Sequence, residues 1–266
     1  LIESVLREAG CKTGVIGTLG TRICGNHLDT KRTTPESLDL QKTFSDMIEC
    51  GVTDVVMEVS SHGLALKRTD FCEFDCGVFT NLTQDHLDFH GNFEEYFAAK
   101  ARLFTDYPEM SGKKFAAAVN SDDEYGIRIA QISKGSVYTF GTNEKASIRA
   151  QNIDVSASHC RFKLVSDFGE SDIEMPLGGK FNVYNALAAA AAVLSQGISI
   201  EDIAKGLNKA KGVPGRFEAV DRGQDFGVVV DYAHTPDGLE NVLSSAKQIT
   251  DKRVIAVFGC GGDRDK

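Results

Sequence analysis

The sequence has no long hydrophobic run. No stretch approaches the roughly 18 to 20 consecutive apolar residues that a membrane-spanning helix needs, and the first residues do not have the pattern of a signal peptide. Internal repeats and low-complexity tracts are also lacking, since the alanine-rich residues 188–192 are typical of a helix core. We therefore expect a protein that works in the cytoplasm and does not insert into a membrane.

Cysteine pairs with metal-binding spacing and an excess of positive charge are also lacking. The seven cysteines are an odd number without paired spacing, which favours reduced, mostly buried thiols over a disulfide framework. The 38 acidic residues against 29 basic ones give a formal net charge of −9. This balance argues against a nucleic-acid-binding protein, although local basic residues can still bind an anionic substrate.

The phosphate-loop pattern Gly-x-x-x-x-Gly-Lys-Ser/Thr has no match in the chain, and the glycines at residues 259–262 are by themselves a weak signal. What is present is ordinary globular composition, with 42% hydrophobic and 25% charged residues. A length of 266 residues suffices for one large domain, or for a large domain with part of a neighbour.

Alternating strand and helix patterns predict an α/β fold with a mainly parallel sheet flanked by helices. Apolar runs predict strands at residues 13–17, 54–59, 76–79 and 115–119. Helical spacing predicts a helix at residues 1–9 and another that begins at Pro35, with Thr34 as its cap. Polar residues such as Glu58 and Thr80 end the apolar runs, so we expect them at the carboxyl edge of the sheet, where ligands bind.

The pattern changes to two-residue alternation at residues 147–177, which predicts a small antiparallel sheet. Helices are then predicted at residues 182–196 and 200–208. The composition permits a domain boundary near Gly215. Beyond it, a strand at 228–230, a helix at 235–249 and a strand at 254–258 begin a second α/β unit.

A loop rich in histidine and aspartate precedes a helix that carries one lysine. Asn92 is predicted to cap this helix, with Glu95 returning the hydrogen bond, and Lys100 lies two turns further on. Most helical lysines lie in solvent, which is the ordinary interpretation of such a residue. In the loop, His86 and His90 have the i, i+4 spacing of a zinc pair, so a metallohydrolase is one alternative function.

Six motifs resemble those of the Mur ligase family and occur in the family's order. They are TTPES at residues 33–37, MEVSSHGL at 57–64, TNLTQDHLD at 80–88, PGRFE at 214–218, DYAHTP at 231–236 and FGCGGDRDK at 258–266. The resemblance runs through nearly all of the chain. It implies a central ATP-binding domain of the phosphate-loop type over residues 1–214 and the beginning of a Rossmann-like C-terminal domain over residues 215–266.

The resemblance also implies that the chain is part of a longer enzyme. In Mur ligases the phosphate loop lies just before the helix that begins here at Leu1, and an amino-terminal uridine-binding domain precedes it. Those parts, and most of the C-terminal domain, are not among the 266 residues. We therefore expect an ATP-dependent ligase activity in the intact parent and an inactive fragment.

Residue roles can be carried over from the family. Glu58 and His86 match magnesium ligands, and Lys100 matches a lysine that carbon dioxide converts to a carbamate, which makes it a third ligand. The positions that match the binding of the UDP-muramoyl dipeptide or the incoming amino acid are Thr33, Thr34, Ser60, Arg68, His234 and Arg264. Those that match contacts to ATP are Asn185 (adenine), Arg216 (phosphate) and Asp231 (ribose). Leu66 departs from the family, because several relatives have glutamine there.

The implied reaction adds the third amino acid of the peptidoglycan peptide to UDP-N-acetylmuramoyl-L-alanyl-D-glutamate through an acyl phosphate. The resemblance favours meso-diaminopimelate as that amino acid, with L-lysine as the alternative. A monomer is expected. Two further alternatives are a non-catalytic scaffold of the Mur ligase type and a ligase similar to folylpolyglutamate synthetase.

Overall fold

The computed structural model describes residues 1–259, apart from the side chain of residue 237. The helices are α1 (Ile2–Glu8), α2 (Ser37–Glu49), α3 (Ser61–Ala65), α4 (Leu87–His90), α5 (Phe93–Met110), α6 (Glu124–Ile132), α7 (Lys180–Leu194), α8 (Ile200–Asn208) and α9 (Pro236–Gln248). The strands are β1 (Thr13–Gly17), β2 (Gly20–Ile23), β3 (Asn26–Leu28), β4 (Asp54–Met57), β5 (Cys76–Phe79), β6 (Ala116–Asn120), β7 (Ser136–Gly141), β8 (Ile148–Val155), β9 (Cys160–Ser166), β10 (Gly169–Met175), β11 (Glu218–Ala219) and β12 (Val229–Val230).

The strands form a mixed six-stranded sheet and two smaller sheets. The order in the large sheet is β10-β9-β8-β7-β6-β5, in which β5 to β8 are parallel and β9 and β10 are antiparallel. A second sheet has the order β3-β2-β1-β4, with β1 and β4 parallel, and β11 pairs with β12. The predicted α/β class is confirmed, and so are the antiparallel strands predicted at residues 147–177.

Helix α7 covers one face of the large sheet. Its side chains from Ala186 to Leu194 are all buried, and it packs against β5 to β9. The run of alanines explains this close packing, because a methyl side chain lets the helix backbone approach the sheet. The larger side chains of the same core come from the strands, among them Phe140, Ile148 and Leu164.

A groove of about 730 Å³ separates the two larger sheets. It is lined on one side by β4 (Val55, Val56) and on the other by β5 (Cys76, Val78), and α1 contributes Ile2. Among the described strands, β4 pairs only with β1 and β5 only with β6, so each has one unpaired edge. None of the described helices is long and apolar enough to cross a bilayer.

Three expectations were wrong. Helix α2 begins at Ser37 after Glu36, not at Pro35, because the Thr34 hydroxyl bonds to the loop after β4 instead of capping the helix. Residues 254–258 lie in a stretch without regular structure, and no neighbouring strand among the described residues pairs with them. The thiols are less buried than expected, since Cys24 and Cys50 are exposed.

Candidate active site

Glu58 follows β4 directly, and the neighbouring loop holds its carboxylate. Its Oε2 accepts hydrogen bonds from the backbone N–H of Thr18 at 2.9 Å and from the Thr18 hydroxyl at 2.6 Å. Gly17 permits this approach, since a Cβ at that position would lie 2.8 Å from the Glu58 side chain. The Thr33 hydroxyl is 3.0 Å from that of Thr18. Two predicted site residues, Glu58 and Thr33, are therefore joined through Thr18.

Thr34 and Ser60 connect the loop before α2 with the loop after β4. The Thr34 hydroxyl donates to the backbone oxygen of Glu58 and accepts from the backbone N–H of Ser60, both at 2.9 Å. Ser60 is the N-cap of α3, and its hydroxyl accepts from the N–H of Gly63 at 3.0 Å. Both hydroxyls thus bond to backbone groups and fix the loops around Glu58.

Arg68 is 8% exposed and lies beneath the same loop. Its Nη1 donates to the backbone oxygen of Thr34 at 3.4 Å, and its Nη2 lies 3.2 Å from the Glu36 carboxylate. Its Nε is buried and finds no acceptor among the described residues. A buried donor without a partner is costly, so an acceptor that reached this nitrogen would stabilise the site.

Three imidazole rings, one from α3 and two from α4 and its N-cap position, meet beside α5. The ring centroids of His62 and His86 are 4.9 Å apart, and those of His62 and His90 are 5.5 Å apart. His90 stacks on Tyr96 at 5.0 Å, and its Nε2 lies 2.9 Å from the Ser61 hydroxyl. Burial, together with the neighbouring imidazoles, lowers the pKa of His62 and of His90. The segments that follow β4 and β5 therefore come together, although the two strands belong to separate sheets and not to the single sheet that the sequence predicted.

His86 has a left-handed backbone conformation, with φ of 55°. The Asp85 carboxylate accepts a hydrogen bond from the His86 backbone N–H at 2.8 Å and lies 3.1 Å from its Nδ1. A positive φ is uncommon for a residue with a side chain, and such residues are frequent at functional sites. Asp85 thereby fixes the orientation of an imidazole that is itself exposed.

Lys100 lies on α5, whose first turn is capped by Asn92 as predicted. The Lys100 Nζ is 5.0 Å from the centre of the Tyr96 ring. Burial lowers the pKa of Lys100, and the negative charge of Asp85 opposes this effect. The surroundings therefore favour the neutral amine more than water does. Lys100 differs in this respect from a solvated helical lysine.

The side chains that the structure describes include no group of three His, Cys, Asp or Glu that could hold a metal ion. The three predicted magnesium ligands therefore do not form a complete set as unmodified side chains, since Lys100 has no oxygen to offer. Magnesium prefers a few carboxylate oxygens and keeps several waters. The carboxylate of Glu58 suits it, and an oxygen anion on Lys100 would add a second suitable ligand.

The residues predicted to contact ATP lie on α7 and in the segment after Pro214. Asn185 is exposed on α7, and its Nδ2 donates to the Asn182 side chain at 3.0 Å. The rings of Phe181, on α7, and Phe217 are 5.3 Å apart, which holds the segment carrying Arg216 against that helix. Arg216 itself is exposed, with its guanidinium 5.4 Å from the Tyr232 ring.

Asp231 accepts hydrogen bonds through both carboxylate oxygens. The donors are the backbone N–H groups of Phe217 and Ala233, each at 2.7 Å. His234 is exposed, and its Nδ1 lies 3.0 Å from the backbone oxygen of Tyr232. Asp231 therefore fixes the turns around it, and part of its side chain faces solvent. The predicted site residue Arg264 lies outside the described residues.

Asp122 was missed by the sequence reasoning. Its Oδ2 accepts from the backbone N–H and the hydroxyl of Thr142, both at 2.7 Å, and from the Tyr184 hydroxyl at 2.9 Å. Its Oδ1 accepts from Asn143. Burial alone raises the pKa of Asp122, but these hydrogen bonds outweigh it and hold the pKa at about 2. The signal was an acid soon after the buried strand β6, beyond the carboxyl end of that strand.

Tyr184 immediately precedes Asn185 on α7. Asp122 thus ties together the loop after β6, the loop after β7 and the helix that carries a predicted ATP contact. Thr18 and His62 are two further residues that the sequence did not single out. Thr18 lies in a turn without a motif of its own, whereas His62 lies within the motif at residues 57–64.

Comparison with known proteins places this arrangement in a family. A model of the Mur ligase middle domain matches residues 1–193, and a model of the Mur ligase glutamate ligase domain matches residues 215–266. The UDP-N-acetylmuramoyl-L-alanyl-D-glutamate--2,6-diaminopimelate ligases of Bacillus licheniformis and Solibacter usitatus are 46% and 49% identical to the chain. Each alignment covers 100% of the chain and 55% or 53% of the relative.

A solved structure of a ligase with the same name has a TM-score of 0.81 and 37% identity, covering 99% of this chain and 54% of that one. The chain thus spans about half the length of the relatives it matches. Because the middle-domain model alone matches residues 1–193 of 266, the chain belongs to the Mur ligase family.

Proposed function

We propose that the whole protein is an ATP-dependent ligase of peptidoglycan synthesis in the cytoplasm. It joins meso-diaminopimelate to UDP-N-acetylmuramoyl-L-alanyl-D-glutamate and forms ADP, with L-lysine as the alternative amino acid. The observation that carries this proposal is the alignment of the complete chain with relatives of that name at 46% to 49% identity. We also propose the division into residues 1–214 and 215–266, which the second family model supports because it begins at residue 215.

The acceptor side of the site consists of Thr33, Thr34, Ser60 and Arg68. The Thr33 hydroxyl lies at the surface, 3.0 Å from the hydroxyl of Thr18, whereas the Thr34 and Ser60 hydroxyls bond to backbone groups. We therefore assign Thr33 a direct contact with the dipeptide substrate. Thr34 and Ser60 hold the loops. Arg68 supports the loop through its Nη atoms, and its positive charge suits a substrate that carries phosphates and carboxylates.

The ATP side consists of Asn185, Arg216 and Asp231, for adenine, phosphate and ribose. Support comes from the Phe181–Phe217 contact, which brings the helix of Asn185 and the segment of Arg216 together. His234 and Arg264 are assigned to the incoming amino acid and the cleft that receives it. An exposed guanidinium such as that of Arg216 suits a phosphate because its donors can bind two oxygens at once.

Magnesium, when bound, neutralises the charge on the transferred phosphoryl group. Glu58 and His86 would hold it, with Lys100 as a third ligand after carbamylation by carbon dioxide. The Thr18 hydrogen bonds orient the Glu58 carboxylate, and Asp85 orients the His86 ring. Burial lowers the pKa of Lys100 and so raises the fraction of neutral amine, and a neutral amine can add to the carbon of carbon dioxide with loss of one proton.

The test of the metal site uses the full-length protein. Glu58→Ala and His86→Ala should each lower turnover by a factor of about 100 or more while the dipeptide substrate still binds. Arg161→Ala, in an exposed ion pair on β9, is the matched control and should retain activity. Loss of folding in both site variants, instead of loss of turnover, would assign the two residues to structure and contradict the proposal.

The carbamate has its own test. Lys100→Ala should lose most activity, and short carboxylic acids should restore part of it by occupying the vacated anionic position. Lys42→Ala, on the exposed face of α2, should behave like the unmodified protein. Protein prepared with carbon-13 bicarbonate should show a carbamate resonance that disappears in Lys100→Ala. A fully active enzyme with an unmodified Lys100 amine would refute the role.

A further inference from the structure

The turn between β2 and β3 holds a cysteine in an unfavourable backbone conformation. Ile23 pairs with Asn26, so Cys24 and Gly25 alone form the two-residue turn. Their φ angles are 51° and 82°. Two positive φ angles define a type I′ turn, whose first position favours asparagine, aspartate or glycine. A cysteine there costs backbone strain, and strain of this kind is characteristic of functional positions.

A second cysteine lies against this turn. Cys50 is the C-cap residue of α2, 26 positions further along the chain, and both cysteines are exposed. The Cys24 Sγ is 3.8 Å from the backbone oxygen of Cys50. A hydrogen bond with the Cys24 thiol raises the pKa of Cys50, and the acids Asp46 and Glu49 contribute to the same effect. The turn and the helix end therefore bring two thiols to one solvent-facing place.

The other described cysteines are less accessible. Cys72 and Cys160 are buried, and Cys11 and Cys76 are partly buried. Burial raises the pKa of all four and limits the access of an oxidant in solvent to them. The exposed pair is thus the place among the described residues where an oxidant in solvent meets two neighbouring thiols.

We propose that Cys24 and Cys50 form a reversible intramolecular disulfide when the protein meets a peroxide. The Cys24 thiolate attacks one peroxide oxygen, the O–O bond breaks, and a sulfenic acid and water result after protonation. The Cys50 thiolate then attacks that sulfur, the S–O bond breaks, and the departing hydroxide takes up the proton that Cys50 released. The two thiols lose two electrons and two protons in total, and hydrogen peroxide is reduced to two waters.

The bond would close a loop around the acceptor side of the site. The chain between residues 24 and 50 contains β3, Thr33, Thr34 and α2. A disulfide across this segment restricts its conformations, because the turn and the end of α2 can no longer separate. This inference does not depend on the proposed ligase function, since the chemistry needs only the two thiols and a peroxide.

The test treats the folded full-length protein with hydrogen peroxide, blocks remaining thiols by alkylation, and maps peptides without reduction. We expect a cross-linked peptide containing Cys24 and Cys50, a monomer that has lost two hydrogens, and recovery of both thiols with dithiothreitol. Cys24→Ser and Cys50→Ser should each abolish the cross-link, whereas Cys11→Ser should retain it. Circular dichroism should show that all three variants are folded.

Limited proteolysis adds a readout of the restraint. Cleavage between residues 24 and 50 should slow on oxidation of the unmodified protein and stay unchanged in Cys24→Ser. Oxidation that stops at sulfinic acid on either cysteine, or that joins two protein molecules instead of Cys24 to Cys50, would overturn the proposal.

Discussion

One carboxylate, that of Asp122, joins three elements of the fold, so its replacement should have a measurable cost. Asp122→Asn removes the charge and keeps a single acceptor oxygen. Because Oδ2 accepts from Thr142 and Tyr184, we expect the amide oxygen to take that position. The new amide nitrogen then faces the side-chain nitrogen of Asn143, so that two hydrogen-bond donors meet without an acceptor between them.

The magnitude follows from the pKa of Asp122, which falls from 3.8 to about 2 on folding. At about 1.4 kcal/mol per pKa unit the upper bound is about 2.5 kcal/mol. Asp122 is exposed, so solvent screening reduces the expected loss to about 1 to 2 kcal/mol at pH 7. A depressed folded-state pKa stabilises the protein above pH 4, and this contribution is lost as the pH falls from about 4 to about 2.

Urea unfolding at several pH values measures this prediction. The free energy of unfolding of Asp122→Asn should lie below that of the unmodified protein at pH 7, and the gap should narrow below about pH 4. Asp225→Asn, at an exposed position, serves as the matched control and should change little. A gap of the same size at pH 7 and at about pH 3 would show that the carboxylate charge is not its source.

Two further substitutions test packing and hydrogen bonding. Gly206→Ala places a Cβ 2.4 Å from the Cα of Val5, so it should destabilise the contact of α8 with α1 by about 1 to 3 kcal/mol. Gly112→Ala is the control, because its Cβ meets nothing within 4 Å and the substitution should be nearly neutral. Equal denaturation midpoints of the two variants would contradict this prediction. Tyr107→Phe leaves the buried Thr69 hydroxyl without its partner at 2.6 Å and should cost about 1 to 2 kcal/mol in chemical denaturation. An unchanged free energy of unfolding would mean that water replaces the phenol.

The fold could be predicted where a pattern was long and periodic. The helix at residues 200–208 and the strand at 76–79 have the predicted bounds, and the antiparallel strands at 147–177 were recognised from their alternation. The hairpin of β2 and β3 was missed because its strands of four and three residues are too short to show a period, and helix α6 was missed as well. The division of the strands into two larger sheets was also missed, since pairing partners are not encoded in the strands themselves.

The site could be predicted as a set of residue types and not as a set of contacts. The motifs indicated Thr34, but its hydroxyl was assigned to a helix cap, because a threonine before Pro35 fits that local rule. In the structure it joins residues 24 to 26 positions away instead. Asp122 and Thr18 act through partners distant in sequence, and a single sequence gives no sign of such partners.

The groove between β4 and β5 affects how residues 1–266 behave in solution. In the described part of the chain, each of these strands has one unpaired edge beside the groove, so the groove is a slot in which an extended segment can bond to a strand edge. Val55 in the groove wall is 41% exposed and Phe71 at its rim is 94% exposed. Edges of this kind recruit strands from other molecules. A preparation of these residues alone is therefore expected to aggregate through intermolecular β-pairing, with an onset set by protein concentration, and a short apolar peptide that enters the slot should delay it.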